Sequence, residues 1–206
     1  MGKFGSGFRI KRILAAAAVM SFTVTGLTAC GKETAGVSTV SVDKEGKVES
    51  VLYEEFDKDY YSLDELTNMA EDEISGYNSE YETPRITLSD AQLLEDEAVV
   101  KLTLDFESTS DYSYYNQVDL FYGTVEEARN SGYELNLNLV DDKGDKIDPS
   151  IIDRNPDRHI IITNDKTNIK TPYNIQYMSK GVTCPGKKEA ELHSVTADYA
   201  QLLLSK

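Results

Sequence analysis

Val100, Leu102, Leu104 and Phe106 alternate with Lys101, Thr103 and Asp105, and no other stretch limits the fold so tightly. Successive side chains of a strand point to opposite faces, so a period of two with polar residues between apolar ones describes a strand with one packed face and one wet face. Such strands belong to antiparallel sheets, whereas parallel sheets are covered on both sides and read as unbroken apolar runs. The neighbouring segments agree. Val40 and Val42 alternate with Thr39 and Ser41, Asp43-Lys44-Glu45-Gly46 supplies a turn, and Val48 to Tyr53 returns, which predicts a β-hairpin. Ile86 and Leu88 open a further strand, which the charged turn Glu95-Asp96-Glu97 joins to the alternating run.

Helices are marked by their starts. Ser62 with Glu65 is a capping-box pair, in which each side chain satisfies a free backbone N–H near the other. Leu63, Leu66, Met69, Ala70, Ile74 and Tyr77 then share one side, predicting an amphipathic helix over about 62–77 that ends near Gly76. Thr124 with Glu127 repeats the device for a helix over about 124–131, stopped by Gly132. Leu135, Leu137 and Leu139 alternate with Asn136 and Asn138 before a turn at Asp142-Lys143-Gly144. Ile160 to Ile162 is a short buried run, and Tyr173, Ile175 and Tyr177 suggest another strand. Leu192, Val195, Tyr199 and Leu202 fit a helical face, while Val195, Ala197 and Tyr199 fit alternation; the β character of the preceding segments favours strand. The expected class is α+β, mostly antiparallel sheet with two amphipathic helices.

The first 29 residues stand apart from this pattern. Lys3, Arg9, Lys11 and Arg12 precede an apolar stretch from Ile13 to about Ala29, the form of a secretory signal peptide and too short for a lasting membrane span. Met1-Gly2 with Ser6 matches a myristoylation pattern, but the export segment behind it argues against a cytosolic acyl acceptor. The run Leu27-Thr28-Ala29-Cys30 resembles the lipobox of bacterial lipoproteins. That resemblance implies cleavage before Cys30, diacylglycerol and palmitate-type chains on the Cys30 thiol, and a position on the extracytoplasmic face of the cell membrane. At about 0.8 kcal/mol per buried CH₂, one chain gives marginal residence and two give a durable tether. Cys30-Gly31-Lys32, the run Phe121-Tyr122-Gly123-Thr124-Val125-Glu126-Glu127-Ala128 and a Lys-, Asp- and Tyr-rich chain without Trp are similar to small lipoproteins of anaerobic Gram-positive bacteria, a group with no activity to carry over. The implied division is a signal peptide at 1–29, a lipidated tether at 30–37 and one extracytoplasmic domain at 38–206, or two subdomains split near 118.

Without the signal, 177 of the 206 residues remain, with 17 Lys and Arg against 36 Asp and Glu. A balance of −19 repels nucleic acid and anionic lipid head groups, so no nucleic-acid partner is expected and the membrane is reached through Cys30. With Cys30 acylated, Cys184 has no partner in the chain, and the fold relies on burial without a disulfide.

Catalytic patterns are scarce. There is no Gly-x-Ser-x-Gly, no Walker loop, no Gly-x-Gly-x-x-Gly and no His-Glu-x-x-His. Cys184 and His193 could form a thiol–imidazole pair, yet chance supplies one Cys and two His in most chains of this size. His159, beside the isoleucine run, reads as a strand-end residue. Asp141-Asp142-Lys143-Gly144-Asp145-Lys146-Ile147-Asp148 offers four carboxylates, but Lys143 sits where a calcium ligand is needed and Gly144 comes too early, so a solvated hairpin turn is expected. No metal, cofactor or catalytic residue is assigned. Thirteen tyrosines remain, with Tyr112, Tyr114 and Tyr115 clustered in a polar segment. Tyrosine joins an apolar face to a polar tip, so these three are expected to be partly exposed on a loop and to bind a protein or envelope component. The functional expectation is a non-catalytic, lipid-anchored surface module. The alternatives are a small-ligand or cation-binding lipoprotein serving a transporter, and a surface hydrolase.

Overall fold

The computed structural model describes residues 36–58, 62–94, 98–136 and 138–206. The signal segment, Cys30, the turn expected at 95–97 and Leu137 lie outside the described residues. The described chain is a mixed α and β fold with four helices and mostly antiparallel strands. It forms two compact units, one of 36–38 with Ser50–Asp105, the other of Thr39–Glu49 with Phe106–Lys206.

The chain enters through strands β1 (Thr39–Val42) and β2 (Val48–Glu55). Most of β2 belongs to the first unit, with helix α1 (Leu63–Asn78), β3 (Ile86–Leu94) and β4 (Val99–Phe106), in the strand order β3-β4-β2. At the start of α1 the Ser62 hydroxyl accepts the Glu65 N–H at 3.3 Å, and Leu66, Ala70 and Ile74 form the buried stripe. The helix runs past Gly76 to Asn78, whose side chain then organises the next strand. Asn78 Oδ1 accepts from the N–H groups of Arg85 and Ile86 at 2.8 and 3.0 Å, and its Nδ2 donates to the Ile86 carbonyl at 2.8 Å. In β4 the apolar set Val100, Leu102, Leu104 and Phe106 is buried, and Thr103 is buried with it.

In the second unit two short helices, α2 (Thr109–Asn116) and α3 (Val125–Asn130), flank strand β5 (Leu120–Thr124), and a third, α4 (Ser150–Arg154), follows. Then come β6 (His159–Thr163), β7 (Asn168–Lys170), β8 (Ile175–Met178), β9 (Thr183–Gly186), β10 (Glu189–Glu191) and β11 (Ala200–Leu204). One strand order is β1-β7-β10-β9, with β1 and β7 parallel; the other is β5-β6-β11-β8, wholly antiparallel. Strand β11 pairs Leu202 with Ile161 and Leu203 with Ile160. Every residue of β11 is buried, an unbroken run covered on both faces; the strand is confined to Ala200–Leu204, and Val195, Ala197 and Tyr199, whose alternation suggested it, lie in the turns before it. On one side, Ile160, Ile162 and Leu203 pack with Val125 and Ala128 of α3, Leu139, Ile147 and Ile152.

The second capping box forms in full. Thr124 N–H donates to Glu127 Oε2 at 2.7 Å and Glu127 N–H to Thr124 Oγ1 at 3.1 Å. The two acidic turns share one geometry. Asp43 Oδ1 accepts from the N–H groups of Glu45 and Lys47, and Asp141 Oδ1 from those of Lys143 and Asp145, all at 2.8–2.9 Å. Gly46 and Gly144 close the two loops at φ +83° and +86°, a backbone that favours glycine. One expected strand is absent. Around Leu135 and Leu139 the described chain has only two isolated bridges, from Val140 to Lys146 and to Met178, because the buried Gln201 side chain takes the local backbone for itself. Gln201 Oε1 accepts the Asn136 N–H at 2.9 Å and its Nε2 donates to the Glu134 carbonyl at 2.8 Å.

Candidate functional site

The segment with Tyr112, Tyr114 and Tyr115 is helix α2 and not a loop. Ser108 Oγ accepts the Asp111 N–H at 3.1 Å and donates to Asp111 Oδ2 at 2.5 Å, so Ser108 caps the helix, and the Ser-x-x-Asp spacing is present in the sequence. Helical spacing then separates the three tyrosines. Tyr112 is only 1% exposed and Tyr115 half-buried, whereas Tyr114 is 67% exposed. The expectation of a jointly exposed cluster is therefore corrected: Tyr112 and Tyr115 turn onto Phe106, with ring centroids 5.2 and 5.8 Å away, and Tyr114 alone faces water.

Tyr112 anchors a partly buried polar network. Its hydroxyl donates to Asp165 Oδ2 at 2.6 Å, while Asp165 Oδ1 accepts from the N–H and hydroxyl of Thr167 at 3.0 and 2.7 Å. Burial first, then the Asp165 carboxylate beside it, holds the Tyr112 phenol well above the ordinary tyrosine range. A void of about 10 Å³ lies among Tyr112, Leu120, Thr163, Asp165, Ile169 and Leu192, the room of one water molecule. The arrangement fastens the segment between β6 and β7 to α2; it leaves no space for an organic substrate.

Cys184 is free and half-buried in β9, with its Sγ 3.4 Å from the Met178 sulfur. Burial, and then the charge of Asp142, raises its pKa, so the reactive thiolate is disfavoured at neutral pH. His193 is exposed. Alkylation of Cys184 by iodoacetamide in the folded protein at pH 8 is expected to be slower than that of the urea-unfolded chain; an equal or faster rate would show an activated thiol.

His159 opens β6 and begins a ladder of rings that sequence reasoning did not foresee. Its imidazole stacks on Tyr122 at 5.2 Å and 22°, and meets Tyr173 at 5.3 Å; the Lys206 ammonium lies 5.7 Å from the Tyr173 centroid. His159 Nδ1 is 2.9 Å from the Lys206 carbonyl, so the ladder holds the end of β11. Tyr122, His159 and Tyr173 are far apart in sequence; the β5–β6 pairing brings Tyr122 to His159, and Tyr173 comes from the chain just before β8. The Tyr122 phenol is pushed up to about 12, by burial first and then by Tyr173, Asp43 and Glu45. A folded pKa above the unfolded value means that Tyr122 favours folding below pH 10 and loses that contribution as pH rises towards 12. In an alkaline absorbance titration, Tyr122→Phe is expected to remove a late-ionising phenol; loss of an early one instead would contradict this placement.

Among the described residues, no helix is long and apolar enough to cross a membrane, and no group of three or more His, Cys, Asp or Glu is placed to hold a metal ion. Asp43 and Asp141 instead use a carboxylate oxygen to close their own turns. No family model, no curated protein and no solved structure matches this chain.

Proposed function

We propose that this is a lipid-anchored protein of the extracytoplasmic membrane face, acylated at Cys30, which acts by contact with a protein or envelope component and not by catalysis. The observation that carries the contact reading is the division of labour among side chains. Groups a catalyst would use are turned inward or tied up: the Cys184 thiol against Met178, and Asp165 against Tyr112 and Thr167. Large apolar groups, by contrast, face water: Tyr114 at 67%, Val37 at 54%, Tyr81 at 44%, Met69 at 42% and Tyr199 at 37% exposure. Tyr and Met are residue types enriched where proteins meet their partners. The anchor rests on Leu27-Thr28-Ala29-Cys30.

The test of the anchor is Cys30→Ala in the expressing cell. The wild-type chain is expected in the membrane fraction, and the variant in the medium or as an uncleaved precursor. A variant that is cleaved at the same bond and still sediments with membranes would overturn the anchored reading.

A further inference from the structure

The solvent side of α1 does not look like that of an ordinary surface helix. Ser50–Asp105 carries 16 Asp and Glu against three Lys and Arg, whereas Thr39–Glu49 with Phe106–Lys206 carries 19 against 13. The acidity of the mature chain is thus concentrated in the first unit. Helix α1 holds Asp64, Glu65, Glu71, Asp72 and Glu73 and no basic residue. Asp64 and Glu65 lie in the first turn, where negative charge suits the helix, but Glu71, Asp72 and Glu73 have no basic residue on the helix to balance them.

A second, independent feature lies on the same helix. Glu65, Met69, Glu73 and Tyr77 recur every four residues and form one ridge beside the buried stripe of Leu66, Ala70 and Ile74. Tyr81 extends the ridge past the helix end, its ring 5.2 Å from that of Tyr77 and its hydroxyl 3.2 Å from the Tyr77 hydroxyl. Met69 and Tyr81 are large apolar side chains exposed at 42% and 44%. The Arg85 guanidinium sits 5.7 Å from the Tyr81 centroid, so a cation already rests on one ring of this ridge.

We infer that the Glu65–Met69–Glu73–Tyr77–Tyr81 ridge, with Asp72 beside it, is a docking surface for a basic, amphipathic polypeptide segment. The carboxylates select Lys and Arg, which also pack over tyrosine faces, and Met69 with Tyr81 needs apolar side chains between those cations. A bare metal ion or polyamine would leave Met69 and Tyr81 uncovered, and anionic lipid is repelled by the charge. This inference rests on the contact reading above and names one surface and one partner chemistry for it.

The test uses the full chain purified in detergent and a fluorescent synthetic peptide of alternating lysine–leucine character, with a lysine-only peptide of equal charge as comparison. Anisotropy should show tighter binding of the lysine–leucine peptide, weakened by added salt because exposed charges are screened. Glu65→Lys with Asp72→Lys should weaken that binding on the order of tenfold or more, as reversed rim charges repel. Met69→Ser with Tyr81→Ser should reduce the preference for the lysine–leucine peptide. Glu65→Gln with Asp72→Asn, a gentler change, should give an intermediate loss if the reversed variant fails to fold. Equal binding of both peptides would reduce the surface to diffuse charge and overturn the inference. So would unchanged binding in the ridge variants, or no binding by the wild type. Detergent removes the anchor from the measurement, so membrane release of Cys30→Ala bears on the anchored reading alone, and peptide binding that maps elsewhere overturns the ridge while leaving contact function standing.

Discussion

Tyr112→Ala is expected to destabilise the second unit by about 3–5 kcal/mol, the range for deleting a large aromatic side chain from a packed core. Two losses combine. The ring, 1% exposed, leaves a space against Phe106, which it meets edge-on at 81°. The hydroxyl also leaves Asp165 Oδ2 without a 2.6 Å donor in a site with room for one water. Tyr112→Phe separates the two effects, since it keeps the ring and should cost only about 1–3 kcal/mol for the missing hydrogen bond. Tyr114→Ala, two residues on and 67% exposed, should change stability by less than about 0.5 kcal/mol. Urea denaturation followed by near-ultraviolet circular dichroism of the three variants measures all of this. Equal, small changes for Tyr112→Ala and Tyr114→Ala would return all three tyrosines to the surface.

That contrast shows what the sequence could and could not reveal. Period-two and capping-box signals are local, so the first hairpin, α1, β4 and α3 were legible from neighbouring residues. Helix α2 also had a local signal, since Ser108 and Asp111 have capping-box spacing, but its Ser-, Tyr- and Asn-rich composition favours a loop on propensity and masked it. The missing strand near Leu135 has a different cause. Its alternation is real, but the competing partner is the Gln201 side chain, 65 residues further on, and no window around Leu135 contains it. The same holds for the ring ladder, where Tyr122 meets His159 because β5 and β6 pair with Thr124 opposite His159, and Tyr173 joins from the segment before β8. The exposed ridge on α1 was half legible. Met69 fits the apolar spacing of the helix, and sequence alone assigns it to the core; packing centres the buried stripe on Leu66, Ala70 and Ile74 and leaves Met69 at its rim.

Gly181→Ala is the second substitution expected to have a large effect, because it fails on both conformation and space. Gly181 has φ +90°, a backbone that costs an L-residue about 1–2 kcal/mol. A Cβ there would stand 2.5 Å from the Ser194 carbonyl oxygen and 3.1 Å from the Ser194 carbonyl carbon and Val195 Cα. All three are backbone atoms, so no rotamer change relieves the overlap. Ser194 lies inside a turn closed by the Val195 N–H donating to the Leu192 carbonyl at 3.0 Å, and both Leu192 and Val195 are buried, at 0% and 5% exposure. Moving that turn disturbs core packing, and overfilling a packed site costs about 1–3 kcal/mol. Together the two effects should cost roughly 2–5 kcal/mol. Gly76→Ala is the matched opposite: it lies within α1, is exposed, and a Cβ there meets nothing within 4 Å. Alanine loses less backbone entropy in a helix than glycine, so this change should stabilise the first unit by about 0.5–1 kcal/mol. Thermal melts of the two variants should therefore move in opposite directions from the wild type, and a Gly181→Ala melt at or above the wild-type midpoint would mean that the Ser179–Val182 turn does not approach Ser194 as closely as described.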